Sequence, residues 1–164
     1  MSIASAYTSI RQIPAFVKQW KPEPGSTILD IGGGRFDDCS NYIAAMGSTN
    51  YVFDPFNRTP EHNDEVKRLI DARGCDYIMC LNVINVIEQT ERLELYLTIL
   101  SFCSARTKTI FFQIYGGNGT GVKGHTVQNN MKAVEYIPEI TNAFPHATIT
   151  VMGTKRNIIA VSLK

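Results

Sequence analysis

The apolar run Thr27–Ile31 holds one acid, Asp30, and breaks at once into Gly32-Gly33-Gly34; no other stretch of the chain restricts the fold as strongly. Such a run reads as a buried strand driven into a glycine turn, and a helix should follow it. Asp37 or Asp38 can cap that helix, Cys39, Ile43 and Met46 give it an inner face, and Gly47 supplies a left-handed stop. A second short strand, Tyr51 to Phe53, ends at Asp54-Pro55. Thr59 then offers an N-cap with Pro60 at the first helical position, and Val66, Leu69 and Ile70 form an apolar stripe before Gly74. The alternation strand, helix, strand, helix is established by residue 74.

Asp76 to Ile87 is the most hydrophobic strand candidate, continuous rather than alternating, as suits a central parallel strand covered on both faces. Leu93, Tyr96, Leu97, Leu100 and Cys103 define the next helix, and Leu93, Leu97 and Leu100 are read as core. Thr109 to Tyr115 follows as a strand, and it runs into the glycine-rich loop Gly116 to Gly121. Gln128 to Tyr136 is expected to be helical, and Pro138 to start a short helix reaching about Ala143. Ala147–Met152 and Ile158–Leu163, separated by Gly153 to Asn157, read as an antiparallel hairpin. At the front, Ile10, Ile13, Phe16, Val17 and Trp20 make a short amphipathic helix with Pro14 near its start. The expected architecture is α/β: a doubly wound, mainly parallel sheet in three αβα layers, closed by the C-terminal hairpin. The third strand of a full doubly wound half has no candidate.

A chain of 164 residues, with neither linker nor repeat, is expected to form one domain over 1–164, with 1–24 as a helical extension. Its formal charge of +1 removes the strong electrostatic argument for nucleic acid or anionic membrane, without excluding a nucleic-acid substrate. The first 25 residues hold no apolar signal region and no stretch has the length of a membrane span, so the cytoplasm is the expected compartment. Cys39, Cys75, Cys80 and Cys103 have neither CxxC spacing nor nearby histidine partners, and are expected to be reduced core residues; no metal site is expected.

In an open α/β sheet the ligand lies outside the carboxyl ends of the strands, where strand order reverses. Gly32 and Gly34 let the backbone turn tightly and a ligand approach closely. The dinucleotide fingerprint would need glycine at position 37, where Asp37 stands, and an acid at a helix start sits poorly against a pyrophosphate. Nicotinamide and flavin dinucleotides are therefore disfavoured. Asp54, at the end of the second strand, can accept both hydroxyls of a ribose. Two carboxylates, Asp30 and Asp54, suit a cationic nucleoside better than a phosphorylated one.

The run Ile28 to Gly34, Asp54, the strand Asp76–Ile87 and the closing hairpin resemble the Rossmann-like S-adenosylmethionine-dependent methyltransferases over about residues 26–164. Leu81 to Ile87 and Asp54-Pro55-Phe56-Asn57 resemble, more narrowly, small methyltransferase-like proteins of bacteria and phages. The resemblance implies S-adenosylmethionine as cofactor, with Gly32, Gly33 and Gly34 beside its methionine moiety. It implies also that Asp30 orders the glycine loop and the ammonium, that Asp54 binds the ribose, and that Asn82 to Asn85 line the place of methyl transfer.

On the acceptor side, Asn82 and Asn85 are two amides able to orient an amine or hydroxyl. The loop from Tyr115 to Asn130 is a candidate lid, and His125 within it a candidate general base. Asn82, Asn85, Tyr115 and His125 are thus the candidate catalytic residues, and Asn82 also adjoins the cofactor. The expected activity is methyl transfer to a nitrogen or oxygen acceptor, with nucleic acid one possible acceptor. The alternative is a cofactor-binding module that serves as a non-catalytic interaction or regulatory subunit.

Overall fold

The computed structural model describes residues 10–123 and 127–164. A short helix α1 (Ala15–Gln19) precedes β1 (Thr27–Ile31), α2 (Asp38–Ala45), β2 (Thr49–Phe53), α3 (Pro60–Arg73) and β3 (Tyr77–Leu81). Then come α4 (Gln89–Phe102), β4 (Thr109–Gln113), a 3₁₀ turn (Ala133–Tyr136), α5 (Ile137–Ala143), β5 (Thr148–Met152) and β6 (Ile158–Ser162). The six strands form one sheet in the order β2-β1-β3-β4-β6-β5. β2, β1, β3 and β4 are parallel, while β6 runs antiparallel to both β4 and β5.

Alternation along the strands divides the core into two layers. Leu29, Ile31, Ile78, Cys80, Ile110, Phe112, Ile159 and Val161 face α3, α4 and α5. Ile28, Met79, Leu81, Phe111 and Ile158 face α1 and α2, where Phe16 and Trp20 stack on each other and meet Phe111 at tilted angles. The expected three-layer α/β architecture with a terminal hairpin is the one observed. So are the Thr59 cap, whose Oγ1 accepts the His62 N–H at 3.2 Å, and the left-handed Gly74 that stops α3. Among the described residues no helix is long and apolar enough to cross a membrane, and no acid, cysteine and histidine cluster could hold a metal ion. All four cysteines are free, and burial pushes the Cys39 thiol up to about 12 and Cys75 to about 11.

Three expectations need correction. The strand expected over Asp76–Ile87 ends at Leu81, because Asn82 takes a left-handed φ of 60° that no strand continues through. Val83, Ile84, Val86 and Ile87 are nonetheless buried, so the apolar run beyond Leu81 records a packed loop, not a strand. The helix expected from Gln128 is reduced to the turn Ala133–Tyr136. Asn130 is left-handed (φ 55°), and the Asn129 amide donates to the carbonyls of Ile84 and Ile87, which fastens an irregular segment under the sheet ends. Finally, Leu93, Leu97 and Leu100 are exposed (47%, 67% and 38%) rather than core. α4 instead buries Arg92, Leu95, Tyr96, Ile99 and Phe102, a stripe disguised in the sequence by its arginine.

That arginine is held. Arg92 makes a two-point ion pair with Glu139 of α5 (2.6 and 3.0 Å), donates to Ile87 O, and lies over the Tyr136 ring, while Tyr96 OH donates to Glu139. α3 also protects the edge strand β2, on which no third strand of the doubly wound half is laid. Phe53 O bonds towards β1, so the polar groups of Val52 and Asp54 point outward. His62 Nε2 meets Val52 O at 2.8 Å, and Asn63 accepts Asp54 N–H on Oδ1 while its Nδ2 donates to Asp54 O. Side chains here do what a neighbouring strand would do.

Candidate active site

Strand order reverses between β1 and β3, so the loops leaving these two strands open a crevice at the carboxyl edge of the sheet. Gly32 and Gly34 both have left-handed φ, 77° and 80°. A Cβ on Gly32 would stand 2.6 Å from Val83 Cγ2, and one on Gly33 would stand 2.6 Å from Asp30 Oδ2. The glycines therefore let the first loop lie directly on the second, with the Asp30 carboxyl tucked beneath.

Asp54 and Arg58 fix this loop from behind. Asp54 Oδ2 accepts Gly34 N–H (2.9 Å) and the Asn57 amide (3.0 Å), while Oδ1 accepts the N–H groups of Phe56 and Asn57 (3.0 and 3.1 Å). Four donors fill the acceptor positions of one carboxylate. Arg58 donates to Gly34 O and Phe36 O, and pairs with Asp37 at 2.8 Å. Arg58 was not foreseen from the sequence. Its only signal is its position four residues after Asp54, where a charged side chain reads as surface.

Between the loops lies a cavity of about 490 Å³. Asp30, Gly32, Gly33, Gly34, Asn82, Asn85 and Tyr115 all contribute to its wall, together with Ile10, Gln12, Pro14 and Ala15 of the N-terminal segment. Asp54 is absent from that wall, its carboxylate being engaged by the loop; Asn57, which it holds, lines the cavity. His125 lies outside the described residues. Gln113, also unforeseen, closes the apolar strand β4 with a buried amide: its Oε1 accepts Phe16 N–H (2.9 Å) and its Nε2 donates to Asn82 Oδ1 (3.2 Å). It thereby pins the N-terminal segment over the strand ends. The glycine-rich loop is a folded turn. Gly117, Gly119 and Gly121 are all left-handed, and Asn130 bonds both Asn118 N–H and Val122 O.

The wall carries acids, and Arg11 at its rim lies 3.8 Å from Asp38 and over the Phe36 ring. The charged members of the wall itself are Asp30 and Asp38, and the described wall contains no lysine, arginine or histidine. Burial pushes the Asp30 carboxyl up to about 7, opposed by the Asn50 amide, raised further by Asp54 and lowered by Arg58. The folded state thus holds a proton that the unfolded chain releases near 4, so stability falls as pH rises from about 4 to about 7 and is flat above. Chemical denaturation from about pH 5 to about pH 8 should show this fall in the wild type. Asp30→Asn should remove it; an unchanged slope would contradict the assignment.

No protein-family model matches the sequence, and no curated protein does. Solved structures do match in fold. A TehB-like S-adenosylmethionine-dependent methyltransferase from Corynebacterium glutamicum is 11% identical with a TM-score of 0.56, over 96% of this chain and 85% of that one. The small RNA methyltransferase HEN1 is 12% identical with a TM-score of 0.55, over 89% of this chain, which spans 24% of that protein. A structure described as a Zn-dependent alcohol dehydrogenase from Rhodobacter sphaeroides is 12% identical with a TM-score of 0.50, over 97% and 96% of the two chains. The chain has the Rossmann-like fold of the class I methyltransferases. At these identities the likeness defines the fold, and the choice of ligand rests on the site itself.

Proposed function

We propose that the chain binds S-adenosylmethionine in the cavity between the β1 and β3 loops and transfers its methyl group to a nitrogen or oxygen acceptor. The observation that carries this reading is the glycine loop laid flat on its neighbour beside the Asp30 carboxyl, in a wall that offers no lysine, arginine or histidine among the described residues. A dinucleotide phosphate would find no wall cation to pair with, whereas an ammonium finds the Asp30 carboxyl and favours its ionised form. Asp30 would hold the ammonium, and Gly32 to Gly34 would let the backbone approach.

Asp54 reaches a ribose only by giving up one of its four N–H donors. Its assigned work is therefore to position the loop and Asn57, with Asn57 left to meet the ribose. When bound, the cofactor supplies an already activated methyl group, so the protein's task is mainly positioning and exclusion of water. Gln113 serves both by seating the N-terminal segment over the cavity.

Incubation with methyl-labelled S-adenosylmethionine and separate DNA, RNA, protein and small-molecule fractions tests transfer. Label in one fraction, lost with Asp30→Ala, supports the enzyme. Tight cofactor binding with no label in any fraction favours the non-catalytic module instead.

A further inference from the structure

We infer that β5 is the docking edge for a second copy of this chain, which pairs antiparallel with it about a two-fold axis at Thr150 and joins the two sheets into one. β5 is the last strand of the sheet. Lys108 O takes the Leu163 N–H and Asn157 O takes the Ile114 N–H, so the odd-numbered residues of β6 bond to β4, while Ile158, Ala160 and Ser162 bond to β5. Opposite these three stand Met152, Thr150 and Thr148. Alternation then directs the backbone N–H and C=O of Ile149 and Val151 away from the sheet, and no hydrogen bond of the described residues meets them. At the other edge, side chains of α3 cover Val52 O and Asp54 N–H; no described side chain does the same for β5.

A second copy fits because the edge is complementary to itself. With Thr150 laid on Thr150, Ile149 of each copy stands opposite Val151 of the other. The N–H and C=O of Ile149 then bond the C=O and N–H of Val151 on both sides of the axis, and every outward group of both copies is used. Residues 147–154 hold no charged side chain and no proline, so an identical strand meets neither like charge nor a missing donor. Thr148, Thr150 and Met152 are exposed on one face, where Thr150 meets its own copy, while Ile149 and Val151 pack on the core of the other face. The axis reverses the second sheet, so the two cavities open at opposite edges, and β4 and β6 separate each from the contact. Pairing therefore leaves both cavities open, whatever ligand they hold.

Analytical sedimentation of the full chain between micromolar and millimolar concentration tests the pairing. A dimer is expected with a dissociation constant of about 10–100 µM, because one strand pair buries less than the ~1,200 Å² of a standard interface. Thr150→Lys sets like charges on the axis and should weaken the dimer about tenfold or more; Thr150→Glu should do the same, and an equal mixture of the two variants should restore it. In the wild type the Ile149 and Val151 amides should exchange with solvent more slowly as concentration rises, a readout that needs no variant. A monomer at every concentration, a dimer indifferent to Thr150→Lys, or exchange at Ile149 and Val151 independent of concentration would overturn the inference. So would a dimer lost in Leu97→Lys and kept in Thr150→Lys, which places the contact on the exposed leucines of α4 instead.

Discussion

Gly32→Ala should abolish cofactor binding and lower stability by about 2–4 kcal/mol, the sum of a strained backbone and an overfilled contact. The strain arises because φ is 77° at this position, and the clash because the new methyl would meet Val83 Cγ2 at 2.6 Å. Val83 lies between Asn82 and Asn85, so relief of the clash moves the opposite wall of the cavity. Gly25→Ala is the matched control. Gly25 has a similar φ of 82° but nothing within 4 Å of an added Cβ, so it reports strain alone at about 1–2 kcal/mol. Urea denaturation gives the stability terms, and calorimetric titration with S-adenosylhomocysteine gives the binding. Equal losses at both glycines would mean that the Gly32–Val83 contact is not what the loop depends on.

Arg92→Leu should cost about 3–5 kcal/mol, because it strands the Glu139 carboxylate beneath α4 and α5 with no cation. Glu139 is 11% exposed at its side chain and keeps only the Tyr96 hydroxyl, while Ile87 O also loses a donor. For a domain with a total stability of about 5–15 kcal/mol, that is a large share. The double variant Arg92→Leu with Glu139→Leu should recover most of the loss, since two apolar side chains leave no buried charge. Denaturation midpoints of the single and double variants decide it. A single variant as stable as the wild type would show that the pair, though well formed, contributes nothing net.

What the sequence revealed was local chemistry. Thr59-Pro60 before an apolar stripe, Gly74 after it, the run into Gly32 and the alternating hairpin strands each specify their own geometry within a few residues, and each element formed as expected. What it concealed depends on distant partners. The apolar run past Leu81 carries no mark that Asn82 turns left-handed, because the amide that stabilises the turn, Gln113, comes from β4. The periodicity of Leu93, Leu97 and Leu100 is as regular as that of the true inner face, and Arg92 looks like a surface residue until Glu139 is placed beside it.

The candidate site divides in the same way. Asp30, the three glycines, Asn82, Asn85 and Tyr115 could be gathered by the rule that ligands lie at strand ends, and they share one cavity. The same rule does not tell which way Asp54 faces. Its carboxylate is drawn under the loop by the N–H groups of Gly34, Phe56 and Asn57, a competition between backbone and ligand that only the folded chain decides.

The central claim is that the cavity holds a cationic nucleoside rather than a dinucleotide phosphate. Calorimetric titration of the full chain with S-adenosylmethionine, S-adenosylhomocysteine and NADH tests it most directly. The expected result is micromolar binding of the first two, lost in Gly32→Ala, and none of NADH. Binding of NADH with no response to either adenosyl ligand would contradict it.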